Sequence, residues 1–119
     1  MMRCLLASSC LVWAAAAVAQ DVASAPSAAL LWLDKVSGIT TELDIGVGQT
    51  KPFGRLEVTL GDCRYPVEDP TSNAFAFLTI RDPAASAPVF DGWMIASSPA
   101  LSALDDPRYD IWVLRCNSD

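Results

Sequence analysis

Three groups of residues have the types and spacing to do chemistry: the hydroxyl pair Ser97-Ser98, the carboxylates Asp105, Asp106 and Asp110, and the cysteines. A serine nucleophile needs a neighbouring base, and the chain contains no histidine. Its two lysines, Lys35 and Lys51, stand in no Ser-x-x-Lys arrangement, and there is no Gly-x-Ser-x-Gly elbow. The serines therefore read as structure. Ser97-Ser98-Pro99 supplies a hydroxyl N-cap and a proline at the first helical position, and Leu101 and Leu104 would share the face turned to the core.

The carboxylates are the remaining route to catalysis, because acid/base hydrolysis by paired carboxyl groups needs no histidine. Asp-Asp-Pro is equally ordinary turn chemistry. The polar stretch containing Asp105, Asp106 and Arg108 is accordingly a candidate interaction loop. Neither these aspartates nor Asp62, Glu68 and Asp69 have the calcium-loop spacing of an EF-hand. A tetrahedral zinc site lacks its usual nitrogen and sulfur ligands, and GVGQTKP matches neither phosphate-loop pattern. No catalytic residue, metal or cofactor is assigned.

The start of the chain bears on the cysteines. MMRCLLASSCLVWAAAAVAQ has a cation at Arg3, an apolar run shorter than the roughly 20 residues of a membrane span, and Ala17-Val18-Ala19. This predicts a cleavable signal peptide over residues 1–19, release into the periplasm, and no membrane span in the mature chain. Removing residues 1–19 takes away Arg3, Cys4 and Cys10, changing the net charge from −6 to −7. The two cysteines that remain, Cys63 and Cys116, are expected to pair as a disulfide in an oxidising compartment. An acidic chain with no cluster of Lys and Arg lacks the basic stripe that nucleic acid requires.

The elements that would position these residues are strands. Residues 20–29, QDVASAPSAA, read as a flexible leader, and a single β-rich domain is expected over residues 30–119. LLWLDKV and ITTELDIGV flank Ser37-Gly38, a two-residue hairpin signal. In the second run Ile39, Thr41, Leu43, Ile45 and Val47 alternate with polar residues and glycine, as do Leu56, Val58 and Leu60 in FGRLEVTL. NAFAFLTIRD is apolar on both faces, and VFDGWMIA and YDIWVLRC complete a set of about six strands. With one short helical turn near the C terminus, this predicts a mainly β protein, an antiparallel β-sandwich or small barrel. Trp32, Trp93 and Trp112 read as core residues rather than a stacking platform, with Trp112 sharing an inward face with Leu114 and Cys116.

Several stretches, LDKVSG, GVGQT, FGRLEVTL, CRYP, NAFAFLTI and above all GWMIASSPALSALDDPRYDIWVLRC, together resemble one family. They are similar to small exported alphaproteobacterial proteins grouped as domain of unknown function 2155, over roughly Leu33 to Cys116. The resemblance implies the cell envelope and carries over no catalytic residue. From sequence, the expected function is a noncatalytic exported interaction or structural module whose partner is an envelope protein or polymer. The alternative is a carboxylate-dependent hydrolase of envelope polymers, acting through the Asp105–Asp110 loop.

Overall fold

The computed structural model of the chain describes residues 9–11 and 21–118. The expected cleavage point after Ala19 lies outside the described residues. Eight strands follow in order: β1 (Val22–Ser24), β2 (Ser27–Asp34), β3 (Thr40–Gly46), β4 (Thr50–Phe53), β5 (Leu56–Pro66), β6 (Phe75–Arg81), β7 (Phe90–Ile95) and β8 (Tyr109–Asn117). A 3-10 turn, Pro99–Leu101, lies between β7 and β8. No helix among the described residues is long and apolar enough to cross a membrane.

All pairings are antiparallel. One sheet runs β5-β6-β7, with β1 and β4 pairing the two ends of β5; the other runs β3-β2-β8. Their inward faces, Leu56, Val58, Leu60, Leu78 and Ile80 against Leu30, Ile45, Ile111 and Val113, form the buried core. No strand pairing joins the two sheets among the described residues, so the architecture is sandwich-like and not a closed barrel.

The six expected strands are present, and the two additional ones were hidden for physical reasons. β4 contains Pro52, which has no N–H to give a ladder, and it survives because it pairs with β5 alone at the sheet edge. β1 and the start of β2 occupy the stretch expected to be a flexible leader. Ala25, Ala28 and Ala29 there are buried, Ala25 and Ala28 as members of the core cluster and Ala29 between β3 and β8 in its own sheet. The Ser37-Gly38 connection is also longer than two residues. The N–H of Asp34 donates to the carbonyl of Ile39 at 3.0 Å and that of Gly38 to the carbonyl of Asp34 at 2.7 Å, so four residues form the loop. Along β3 only Leu43 and Ile45 face the core. Ile39 and Val47, expected beside them, are exposed because they lie beyond the ends of the strand.

Two β-bulges decide which side chains meet between the sheets. In β5 the register passes from Leu60 opposite Leu78 to Asp62 opposite Phe77, leaving Gly61 as an extra residue. Up to Leu60 the even-numbered residues point inward; beyond Gly61 the odd-numbered ones do, which buries Cys63 completely. A Cβ at Gly61 would come within 3.0 Å of the Phe77 ring, so the bulge suits glycine. In β8 Leu30 pairs Val113 and Ala29 pairs Arg115, which makes Leu114 the extra residue. Tyr109, Ile111 and Val113 face inward before it, and Cys116 does after it. Trp112 therefore lies on the outer face, correcting the expectation that it shares the inward face of Cys116.

The result is that Cys63 and Cys116, on different sheets, stand at disulfide distance, with sulfurs 2.00 Å and Cα atoms 5.7 Å apart. A bridge here closes a loop with a sequence separation of 53. Chain-entropy reasoning gives such a link about 4 kcal/mol of stability. Replacing both cysteines by alanine is expected to lower the unfolding free energy in urea by up to that amount. Intact-mass analysis of alkylated native protein should find neither Cys63 nor Cys116 labelled; labelling of both would refute the pairing.

Candidate functional site

The carboxylates and cations singled out by the sequence gather at one end of the sandwich, around the ring of Tyr109. The two-residue turn from β4 to β5 starts at Gly54, whose φ of 58° suits the first central position of a hairpin turn with positive φ. A Cβ there would lie 2.2 Å from the Tyr109 hydroxyl, so the close approach of turn and ring depends on glycine. Behind the ring, Trp32 stacks on Tyr109 with centroids 4.4 Å apart and on Phe53 at 4.9 Å. In front, the guanidinium carbons of Arg55 and Arg108 stand 5.5 and 5.2 Å from the Tyr109 centroid.

Asp106 is the hub of this corner. Only 5% exposed, it accepts the backbone N–H groups of Arg108 and Tyr109 through Oδ1, both at 2.9 Å, and pairs with the Arg55 guanidinium through Oδ2. Its carbonyl accepts Lys35 Nζ at 2.8 Å. Arg55 also lies 3.7 Å from Asp82, and Arg108 binds Asp34 at 3.1 Å. Asp34 in turn caps the N–H groups of Val36 and Ser37 in the hairpin loop. Its carboxyl is held below its ordinary value chiefly by the hydrogen bond from Arg108, which in the same way raises the Arg108 guanidinium.

The candidate residues thus separate. Asp105 and Arg108 are exposed, whereas Asp106 is buried and committed to Arg55 and the backbone, so it is no part of an exposed loop face. Asp110 pairs in register with Leu33 and accepts the N–H of Ile111 at 2.9 Å. Asp106 and Asp110 are thus both engaged by backbone N–H groups. No group of three acidic or cysteine side chains among the described residues is placed to hold a metal ion.

The serines are also placed differently from expectation. Ser98 is the N-cap of the 3-10 turn and Pro99 follows it, but the Ser98 side chain makes no capping bond. A single 3-10 turn starting with proline exposes few free N–H groups for a hydroxyl to satisfy. The bond that ties this segment down comes instead from Asn73, whose Oδ1 accepts the N–H of Ser97 at 3.1 Å and of Ala74 at 2.9 Å. Neither Asn73 nor Arg55 stood out in the sequence, since Asn73 reads as an ordinary polar loop residue and Arg55 as an outward-facing residue of the strand FGRLEVTL, whereas the structure places Arg55 in the turn before β5.

Of the three tryptophans only Trp32 belongs to the core. Trp112 is half-buried opposite Leu31 on the outer face of one sheet, and Trp93, 37% exposed, meets Phe77 edge-on at 5.3 Å on the outer face of the other. Strand alternation puts both on the solvent side, where packing demands no large side chain.

Residues 28–116 match the family described as uncharacterized protein conserved in bacteria (DUF2155). The chain belongs to this family. The match begins at Ala28 and ends at Cys116, two residues that face each other in the β2–β8 ladder. An uncharacterized protein of Rickettsia prowazekii (strain Madrid E) is 27% identical over 93 residues, covering 73% of this chain and 58% of that relative. The chain therefore spans less than two thirds of this relative's length. No solved structure matches the chain.

Two outcomes are expected from this geometry. Asp106→Ala removes a charged acceptor from Arg55 and two backbone N–H groups and should cost about 3 kcal/mol in urea unfolding, whereas Ser98→Ala should stay within about 0.5 kcal/mol. For Asp34, a folded-state pKa below the unfolded one contributes stability above the ordinary carboxylate range, lost as pH falls through the folded value. Arg108→Gln should move the Asp34 carboxyl up toward the ordinary 3.8 in an NMR titration and shrink that acid-side loss.

Proposed function

We propose that this chain is a noncatalytic exported module of the bacterial envelope that acts in the periplasm by binding or by structural support. The observation that carries the reading is the state of Asp106. The only buried carboxylate of the candidate loop is engaged by Arg55 and two N–H groups, so its lone pairs serve the fold. Asp110 likewise accepts a backbone N–H of its own strand, which supports a structural part for both carboxylates over hydrolysis of envelope polymers. Export is supported by the charged start, the short apolar run and Ala17-Val18-Ala19. It is supported too by the distance between Cys63 and Cys116, which suits an oxidising compartment. The partner in this reading is an envelope protein or polymer, and the exposed members of the candidate loop, Asp105 and Arg108, are available to it.

Fractionation and capture test the reading together. The protein should be recovered from the periplasm beginning at Gln20, should retrieve a partner, and should release no product from purified envelope polymers at any pH. A periplasmic form beginning at Met1 would refute processing. Turnover with a bell-shaped pH profile, abolished by Asp110→Asn, would replace binding by catalysis.

A further inference from the structure

The outer face of the β5-β6-β7 sheet carries a feature that the fold does not require. Cross-strand rows place Arg64 beside Phe75 and Ile95, and Asp62 beside Phe77 and Trp93. The next row up, Thr59, Thr79 and Asp91, is polar, and Thr79 donates to Asp91 at 2.9 Å. The apolar side chains therefore form a bounded patch. Within it Val22, Arg64, Phe75 and Trp93 line an open depression of about 220 Å³. Val22 and Trp93 remain 43% and 37% exposed.

Arg64 is held in place over this depression. Its Nε donates to Asp62 at 2.8 Å and its guanidinium carbon lies 4.9 Å from the Trp93 ring centroid. The Nη groups make no hydrogen bond among the described residues, so a fixed fork of donors stands at an apolar wall. Because the guanidinium covers the indole, the surface offers a sugar no open stacking platform. What it offers is a guanidinium, ion-paired through Nε with Asp62, beside an open apolar depression of about 220 Å³, below the roughly 300 Å³ of ordinary small-molecule pockets.

We infer that this depression binds the C-terminal residue of a partner polypeptide, with the apolar side chain in the cavity and the terminal carboxylate on Arg64. A chain-terminal residue carries an apolar side chain and a carboxylate on the same carbon, which suits a small apolar depression with a cation at its wall. The inference rests on the binding-module reading and gives its partner a chemistry.

Its test is NMR titration of the full 15N-labelled chain with the acetylated tetrapeptide Ala-Ala-Ala-Leu as the free acid, and with its C-terminal amide. The free acid should shift the Trp93 indole and Arg64 Nε–H signals, and the amide should bind at least about tenfold more weakly, as loss of a charge-assisted hydrogen bond predicts. Arg64→Ala, at a half-exposed side chain, should remove the response with the spectrum otherwise intact, and Trp93→Ala should weaken it. Equal binding of acid and amide, a response that survives Arg64→Ala, or no response at about 1 mM peptide would overturn the inference. So would displacement of the peptide by a chitooligosaccharide, or self-association that buries Trp93. If the peptide fails while wild-type and Arg64→Ala chains capture the same periplasmic partner, the terminal-residue assignment falls alone. Turnover with no partner captured would remove the module reading beneath it.

Discussion

Two strands from different sheets can be joined through their side chains only if each turns the right residue inward, and strand alternation does not give this chain that arrangement unaided. On an unbroken period of two, Cys63 would follow the outward face of Glu57 and Cys116 the outward face of Trp112. One extra residue in each strand, Gly61 and Leu114, reverses both phases just before the cysteines. The sulfurs then meet in the space between the sheets, with Ala28 opposite Cys116 small enough to leave room. The carbonyl of Cys63 also accepts the N–H of Ala25 at 2.7 Å, so the same point anchors the chain as it enters β2.

The other end of β8 is held by different chemistry. Among the described residues β8 is the edge of its sheet and pairs only with β2, so it needs support beyond one ladder. At its first residue the Tyr109 ring is stacked on Trp32, overlain by two guanidinium groups, and tied through its N–H to Asp106. Burying a carboxylate is costly unless it is paired and hydrogen-bonded, and Asp106 meets both conditions through Arg55 and two N–H donors. The strand is thus pinned by a satisfied charge at one end and by a cysteine pair at the other. This explains why a loop that looks like a cluster of acids acts as a structural corner.

With the core placed between the sheets, the outer faces are released from packing duties, and they are not uniformly polar. Leu31 and Trp112 lie on one, and Phe75, Phe77, Trp93 and Ile95 on the other, the latter with a positioned arginine. Apolar residues on a solvent-facing row bury less area than inward ones, so their grouping beside Arg64 contributes less to the sandwich than the core between the sheets does. Arg64 is paired through its Nε with Asp62, which leaves the Nη side of the guanidinium turned to the patch.

Much of the fold was legible in the sequence because the physics there is local. The period of two in Leu56, Val58 and Leu60, the apolar run NAFAFLTI and the turn residues between them mark strands whatever surrounds them, and two cysteines left after an apolar leader suggest their own pairing. Membership of the family was legible in the stretch from GWMIASS to VLRC. What required the tertiary structure was phase and partnership. Alternation cannot reveal where an extra residue reverses it, so Trp112 read as inward while Ile111 and Val113 were the core residues. Alanines carry too little hydrophobic signal to separate a leader from a packed strand, and only the tertiary structure shows Ala25 and Ala28 in the core and Ala29 covered within its sheet. Whether Asp106 was a reagent or a brace depended on Arg55, 51 positions away in sequence and brought beside it by the turn at Gly54. A carboxylate's role is set by the donors around it, and those donors are assembled by the fold.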